Sequence, residues 1–425
     1  MNCSYAIVIL ALLTLLNFTL GRGRVLYPPF IYSFVWLLDC VVFRFSPITT
    51  NEVHSVTWLV IIFGAITFSL GGLLTAFVPS GVYKIRVSQF AHPTVSTFGR
   101  NVMIGFCVIG LPLLLHEVLN LGASSISGSI LAAAREAYTD MAASGQSQIF
   151  IISNLPLFSI WITVLCLIEG RDKRFWVAFT LSVICCILTT GRTFILMLLT
   201  SLAVTSMLKE RSDNLRGFFR FAIIPFFLFA VAFVGLIFLD KDISSFKGDV
   251  TAILANFVLA YLVVPIAALD YVLTHAGDYA HAIHHTFEFV FRMLSLLGVD
   301  VRIPRVVDTY LYVPLPANVY TIYKYYFTDF GIYGMLGMVA VIGFCQTAIY
   351  RRALNGGRVS MFLCSILVYC VVISIFDDAY SGSGLLVLIK AFVVALLYFG
   401  VLSRVRVGLN FRRIFAPATA SGTIR

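Results

Sequence analysis

Charge is what this sequence has least of. Only 12% of its 425 residues are Asp, Glu, Lys or Arg, against 60% hydrophobic, and the mean hydropathy is +0.96. A soluble domain of this length cannot clothe its surface with so few charges, so the chain is expected to be a polytopic membrane protein. Acids are the scarcer sign, 20 against 30 Lys and Arg. The excess would suggest nucleic acid in a soluble protein, but here the basic residues punctuate apolar segments in short clusters, so they mark topology and no nucleic-acid partner is expected. CxxC pairs are absent, and the nine cysteines lie mostly inside apolar segments, which argues against both a disulfide framework and a zinc site. The first apolar stretch, 6–20, lacks a basic region in front of it, and Gly21-Arg22-Gly23-Arg24 follows it, on the wrong side for a cleaved signal; it is expected to be a first span. No internal repeat of the transporter kind is visible, which weighs against a transporter.

What is there is a series of apolar runs near 4–20, 25–43, 56–79, 101–118, 151–168, 175–190, 193–208, 218–239, 331–350, 359–376 and 384–402. The expected fold is all-α, a bundle of about 11 transmembrane helices with a large, partly helical loop on its outer side. The links at 21–24, 80–100, 169–174, 209–217 and 351–358, with Arg220 and the tail 403–425, collect 20 of the 30 basic residues. That side is expected to be cytoplasmic. The opposite side collects 15 of the 20 acids. Four regions follow: an N-terminal membrane bundle over 1–239 with about eight spans, a periplasmic loop over 240–330, C-terminal spans over 331–402, and a cytoplasmic tail over 403–425. Within the loop, 251–273 is apolar enough to span, but both ends of the loop must face out and Pro265 interrupts it. It is expected to be a re-entrant or interfacial helix.

Arg192 is the lone charge in the run 175–208, inside Thr189-Thr190-Gly191-Arg192-Thr193-Phe194. The run reads as a tight helical hairpin with Gly191 at its outward turn and Arg192 at the membrane face. A cation there is costly unless something anionic uses it, and a guanidinium fork suits phosphate oxygens; a snorkelling arginine among lipid headgroups is the plainer alternative. Arg292, Arg302 and Arg305 in the outer loop are further candidates for a cationic diphosphate pocket, or else they bridge acids of the loop. His281, His284, His285 and Glu288 are spaced i, i+3, i+4 and i+7, one face of a helix. That spacing permits a metal site, but a polar face lining a sugar cleft is the stronger reading, with one of the four as general base. Asp240-Lys241-Asp242 is read as charges marking a helix end. Asp39 and Lys390 lie within spans and each needs a partner or a wet cavity; Arg44 and Asp377-Asp378 compete with a pairing between them. Tyr320, Tyr323, Tyr325, Tyr326 and Tyr333 are interfacial tyrosines or platforms for sugar rings.

Three stretches carry a family resemblance: 188–194 (Leu-Thr-Thr-Gly-Arg-Thr-Phe), 316–321 (Pro-Ala-Asn-Val-Tyr-Thr), and 326–331 (Tyr-Phe-Thr-Asp-Phe-Gly) with Gly334; Pro28-Pro29-Phe30 adds to them. In their order, and in their bracketing of a long outward loop, the chain resembles the O-antigen polymerases of Gram-negative bacteria. The resemblance implies a multi-pass enzyme of the bacterial inner membrane, working at the periplasmic face. It would transfer a growing glycan from undecaprenyl diphosphate to a fresh lipid-linked repeat unit, with inversion and without metal or cofactor. Its partners would be the lipid-linked oligosaccharide donor and acceptor, membrane lipids, and a protein that regulates chain length. By the same matching, Arg192 would contact diphosphate or glycan, Asn318, Tyr320 and Tyr326 would shape the site, and Asp329 is a candidate base. An O-antigen ligase is the nearest enzyme alternative, and a repeat-unit flippase the alternative from another class.

Overall fold

The computed structural model describes residues 2–46, 52–78, 97–123, 130–143, 150–221, 250–275, 285–301, 311–313, 316, 317 and 319–402. The described residues include, in chain order, the helices α1 Cys3–Leu20, α2 Pro28–Phe45, α3 Ser55–Leu74, α4 Thr97–Ala123, α5 Ile130–Ala143, α6 Phe150–Glu169, α7 Lys173–Leu188, α8 Arg192–Lys209, α9 Val250–Thr274, α10 Glu288–Leu296, α11 Ile322–Leu354, α12 Arg358–Ile373 and α13 Gly382–Leu396. A two-residue antiparallel ladder pairs Leu311–Tyr312 with Pro316–Ala317. Eight described helices are long and apolar enough to cross a membrane: Cys3–Leu20, Pro28–Phe45, Ser55–Phe77, Thr97–Ala123, Phe150–Glu169, Arg192–Lys209, Ile322–Leu354 and Gly382–Gly400. The runs at 175–190 and 359–376 are also helices, α7 and α12, but with 16 residues each they reach only roughly 24 Å. Of the expected span 218–239 only its first four residues are described, and the tail 403–425 lies outside the described residues.

Local chemistry sets the helix starts. Pro28 and Pro29 occupy the first turn of α2, where a missing N–H costs nothing, so that helix begins later than its hydropathy suggests. Asp172 caps α7, accepting the N–H groups of Arg174 at 3.1 Å and Phe175 at 3.2 Å. Burial then joins helices through small polar contacts: Asn17 of α1 donates to the Ser33 hydroxyl at 3.1 Å and the Ser69 hydroxyl at 2.9 Å, tying α1 to α2 and α3.

Links rich in arginine gather at one end of the bundle. There Arg351 donates to the carbonyl of Thr75 at 2.8 Å, Arg358 pairs with Glu169 at 3.1 Å, Arg100 pairs with Asp172 at 3.0 Å, and Arg171 donates to Ser206 at 3.1 Å. Asp213, buried at the same end, accepts the Leu26 N–H at 2.7 Å and the Tyr350 hydroxyl. Asp213→Ala strands both donors, so it is expected to destabilise the protein by about 1–3 kcal/mol, seen as a lower melting temperature in detergent.

At the opposite end, Asp270 of α9 accepts the His54 N–H at 2.8 Å and the Thr57 hydroxyl at 2.6 Å, and its second oxygen meets His54 Nδ1 at 2.9 Å. Nine residues earlier, the Tyr261 ring lies 6.4 Å from that of Phe376, just past α12. His54 and Thr57 stand at the start of α3 and Phe376 just past the end of α12, so this part of α9 meets the outer ends of those two helices. It remains helical through Pro265.

The main departure from the hydropathy pattern is in α11. The loop was expected to continue to residue 330, yet 322–330 is helical and mostly buried, and a break follows at Gly331 (φ 68°, ψ −173°). Tyr323 is wedged in the core, its hydroxyl 2.9 Å from that of Tyr32 and its ring 4.7 Å from that of Trp36. The segment is too polar to look like a span because its side chains serve a buried polar cluster. Gly331 holds a backbone conformation open essentially to glycine alone. Gly331→Ala is therefore expected to cost about 1–3 kcal/mol, measured as a fall in melting temperature and in the yield of monodisperse protein.

Candidate functional site

Asp329 stands two residues before that break and is 4% exposed. One carboxylate oxygen, Oδ2, accepts both the N–H and the hydroxyl of Thr286, each at 2.7 Å. The other, Oδ1, is buried and receives no hydrogen bond from the described residues. A carboxylate fixed through one oxygen keeps the lone pairs of the other for a proton.

The segment that holds Asp329 also brings in other expected residues. Glu288, nearly buried, binds Nε of Arg292 at 2.6 Å, and the Arg292 side chain is 40% exposed. The His285 ring lies 5.6 Å from that of Tyr325. Lys324, itself buried, rests its ammonium 4.0 Å above Tyr320 and 4.7 Å above Tyr325, an arrangement of the cation–π kind. Tyr326 is buried and donates to Oδ1 of Asp378 at 3.2 Å. Asp329, His285, Glu288, Arg292, Tyr320 and Tyr326 thus share one neighbourhood. Of the expected helical face only His285 and Glu288 are described: 285–287 is a turn and α10 starts at Glu288. His281, His284, Arg302, Arg305, Asn318 and Asp240-Lys241-Asp242 lie outside the described residues.

Arg192 is the first residue of α8 and is buried, with 9% exposure. Protein covers it, so it does not extend along the surface as a snorkelling side chain would. The hairpin turn is present, but its left-handed residue is Thr190 (φ 47°) rather than Gly191. The helix that Arg192 opens, α8, packs against α12, which leads into the loop of Asp377 and Asp378, and α11, which carries Asp329, also packs against α12.

Asp378 is the functional candidate that sequence reasoning passed over, noting it only as a competitor for Lys390. Its carboxylate accepts the Tyr326 hydroxyl, the N–H groups of Tyr380 at 2.9 Å and Ser381 at 3.3 Å, and the Ser381 hydroxyl. Burial raises its pKa above the ordinary carboxylate value although these donors oppose the shift. Asp39 and Lys390 do not pair: Lys390 donates to Asn154 at 2.8 Å, and neither oxygen of the buried Asp39 accepts a hydrogen bond from the described residues. Tyr333 is 88% exposed, apart from the other tyrosines.

Compared with protein-family models, curated proteins and solved structures, the chain matches none of them. Assignment of the site therefore rests on its chemistry and on the resemblance of its short motifs. The chain is a multi-pass helical membrane protein by its apolar helices.

Proposed function

We propose that this protein is a lipid-linked glycan polymerase of the O-antigen polymerase type, embedded in the bacterial inner membrane with about 11 spans and acting at the periplasmic face. The observation that carries this reading is the Asp329 carboxylate, anchored through Oδ2 by Thr286 while its buried Oδ1 has no hydrogen-bond partner among the described residues. It stands at the end of the bundle opposite the arginine-rich links, which the positive-inside rule assigns to the cytoplasm.

In the proposed reaction the acceptor sugar hydroxyl gives its proton to Oδ1 of Asp329. The hydroxyl oxygen bonds to the anomeric carbon of the donor glycan, and the bond from that carbon to diphosphate breaks. The electron pair leaves with undecaprenyl diphosphate, whose charge Arg192 stabilises. Arg292, Arg302 and Arg305 are proposed as further contacts to the diphosphates, and Tyr320, Tyr326 and Asn318 as residues shaping the glycan site. The resemblance adds a metal-independent, inverting displacement and a chain-length regulator as partner.

Deleting the gene tests this reading against a ligase. Loss of a polymerase leaves surface lipopolysaccharide with core plus one repeat unit, seen as a single band on a glycan gel. Long chains stranded on the lipid carrier would instead identify a ligase and overturn the proposal.

A further inference from the structure

Three segments far apart in sequence meet around Asp329, and hydrogen bonds join them into a closed ring. Tyr326 donates to Oδ1 of Asp378 at 3.2 Å, and the Ser381 hydroxyl donates to Oδ2 of the same carboxylate. The next residue, Gly382, donates its N–H to the carbonyl of Thr286 at 3.2 Å. Thr286 in turn donates twice to Oδ2 of Asp329, at 2.7 Å each. Asp329 and Tyr326 stand three residues apart in α11, on one helical turn, which closes the ring.

We infer that Asp378 is a positioning residue for Asp329, acting through Ser381, Gly382 and Thr286 to fix the direction in which its second oxygen, Oδ1, points. This rests on the proposed function only where Asp329 is the base; the ring itself is a matter of geometry. Asp378 does not touch the reacting groups in this scheme. All four contacts of its carboxylate, from the Tyr326 hydroxyl, the N–H groups of Tyr380 and Ser381, and the Ser381 hydroxyl, use it as an acceptor, while its own N–H donates to Asp377 at 2.8 Å. Without Asp378 the start of α13 loses its anchor to α11, and Thr286 loses the fixed carbonyl contact that holds it against Asp329.

The role predicts a particular pattern among variants. Asp378→Ala removes the acceptor and lets Asp329 drift, so kcat for glycan lengthening is expected to fall on the order of 10²-fold with KM little changed. Asp378→Asn keeps an amide oxygen for Tyr326 and the loop N–H groups, while the amide can donate to a rotated Ser381 hydroxyl, so activity returns to within about threefold of wild type. Thr286→Val acts on the same ring, and the Thr286→Val/Asp378→Ala double variant is expected to be no worse than the poorer single one, since residues in one network do not add.

Backbone hydrogen exchange on the purified full-length protein tests the ring without using activity. Asp378→Ala is expected to accelerate exchange in peptides covering 285–290 while leaving peptides around Leu26 and Asp213 unchanged. Should that variant fail to fold, Ser381→Ala, which removes a single donor, is expected to show the same local acceleration in smaller degree. Unchanged exchange at 285–290 in a folded variant, or multiplicative losses in the double variant, would overturn the inference. If wild-type protein never lengthens a glycan, the functional reading fails, and the exchange result still decides whether the ring holds Thr286.

Discussion

Arg192→Ala is expected to leave the protein in the membrane at normal abundance and to reduce surface glycan to single repeats. The rate of lengthening should fall on the order of 10²–10³-fold, the range for removing one preorganised stabiliser of developing negative charge. Arg192 combines two features that favour an anionic group beside it. It is buried in a bundle of apolar helices, where a cation is costly. It also opens α8, and the positive end of a helix dipole disfavours a cation by about 0.3–1 kcal/mol. An anionic substrate benefits from both features at once. Arg192→Lys keeps the charge but not the two-pronged geometry, so partial lengthening is expected. A normal ladder from Arg192→Ala would remove this residue from the mechanism.

Asp329→Asn carries the other large effect. The amide oxygen still accepts from Thr286, so the local fold should survive, with a melting temperature close to wild type. The group facing the acceptor can no longer take a proton, and kcat is expected to fall about 10²–10⁴-fold, the usual contribution of a positioned base. Gel-resolved glycan lengths against time, at saturating lipid-linked substrate, give the comparison. A rate within a few fold of wild type would mean that the base lies elsewhere, with Glu288 an alternative carboxylate.

Much of this arrangement was legible in the sequence because it follows from local rules. Alternation of apolar runs with arginine clusters located the helices and grouped the links that meet at one end. Arg192 was visible as a single charge in the run 175–208. The cluster around Asp329 was legible only in part. Asp329 and Tyr326 share a short motif, but Thr286 and Asp378 are ordinary residues whose roles arise from contacts spanning 43 and 52 positions. No local pattern encodes such contacts. The start of α11 was missed for a related reason: 322–330 mixes Lys, Tyr, Thr and Asp with apolar residues, which reads as a loop until the buried partners of those side chains are known. Helical periodicity does not guarantee a helix either: 285–287, at the end of the histidine spacing, is a turn.

Reconstitution tests the central claim most directly. Purified full-length protein in lipid vesicles is supplied with an undecaprenyl-diphosphate-linked repeat unit, and glycan length is followed by gel and mass spectrometry with a chelator present. The expected result is lengthening by whole repeat units with release of undecaprenyl diphosphate, abolished by Arg192→Ala and by Asp329→Asn. Movement of intact single units across the bilayer without lengthening, or transfer that occurs only when a lipid A core acceptor is added, would contradict it.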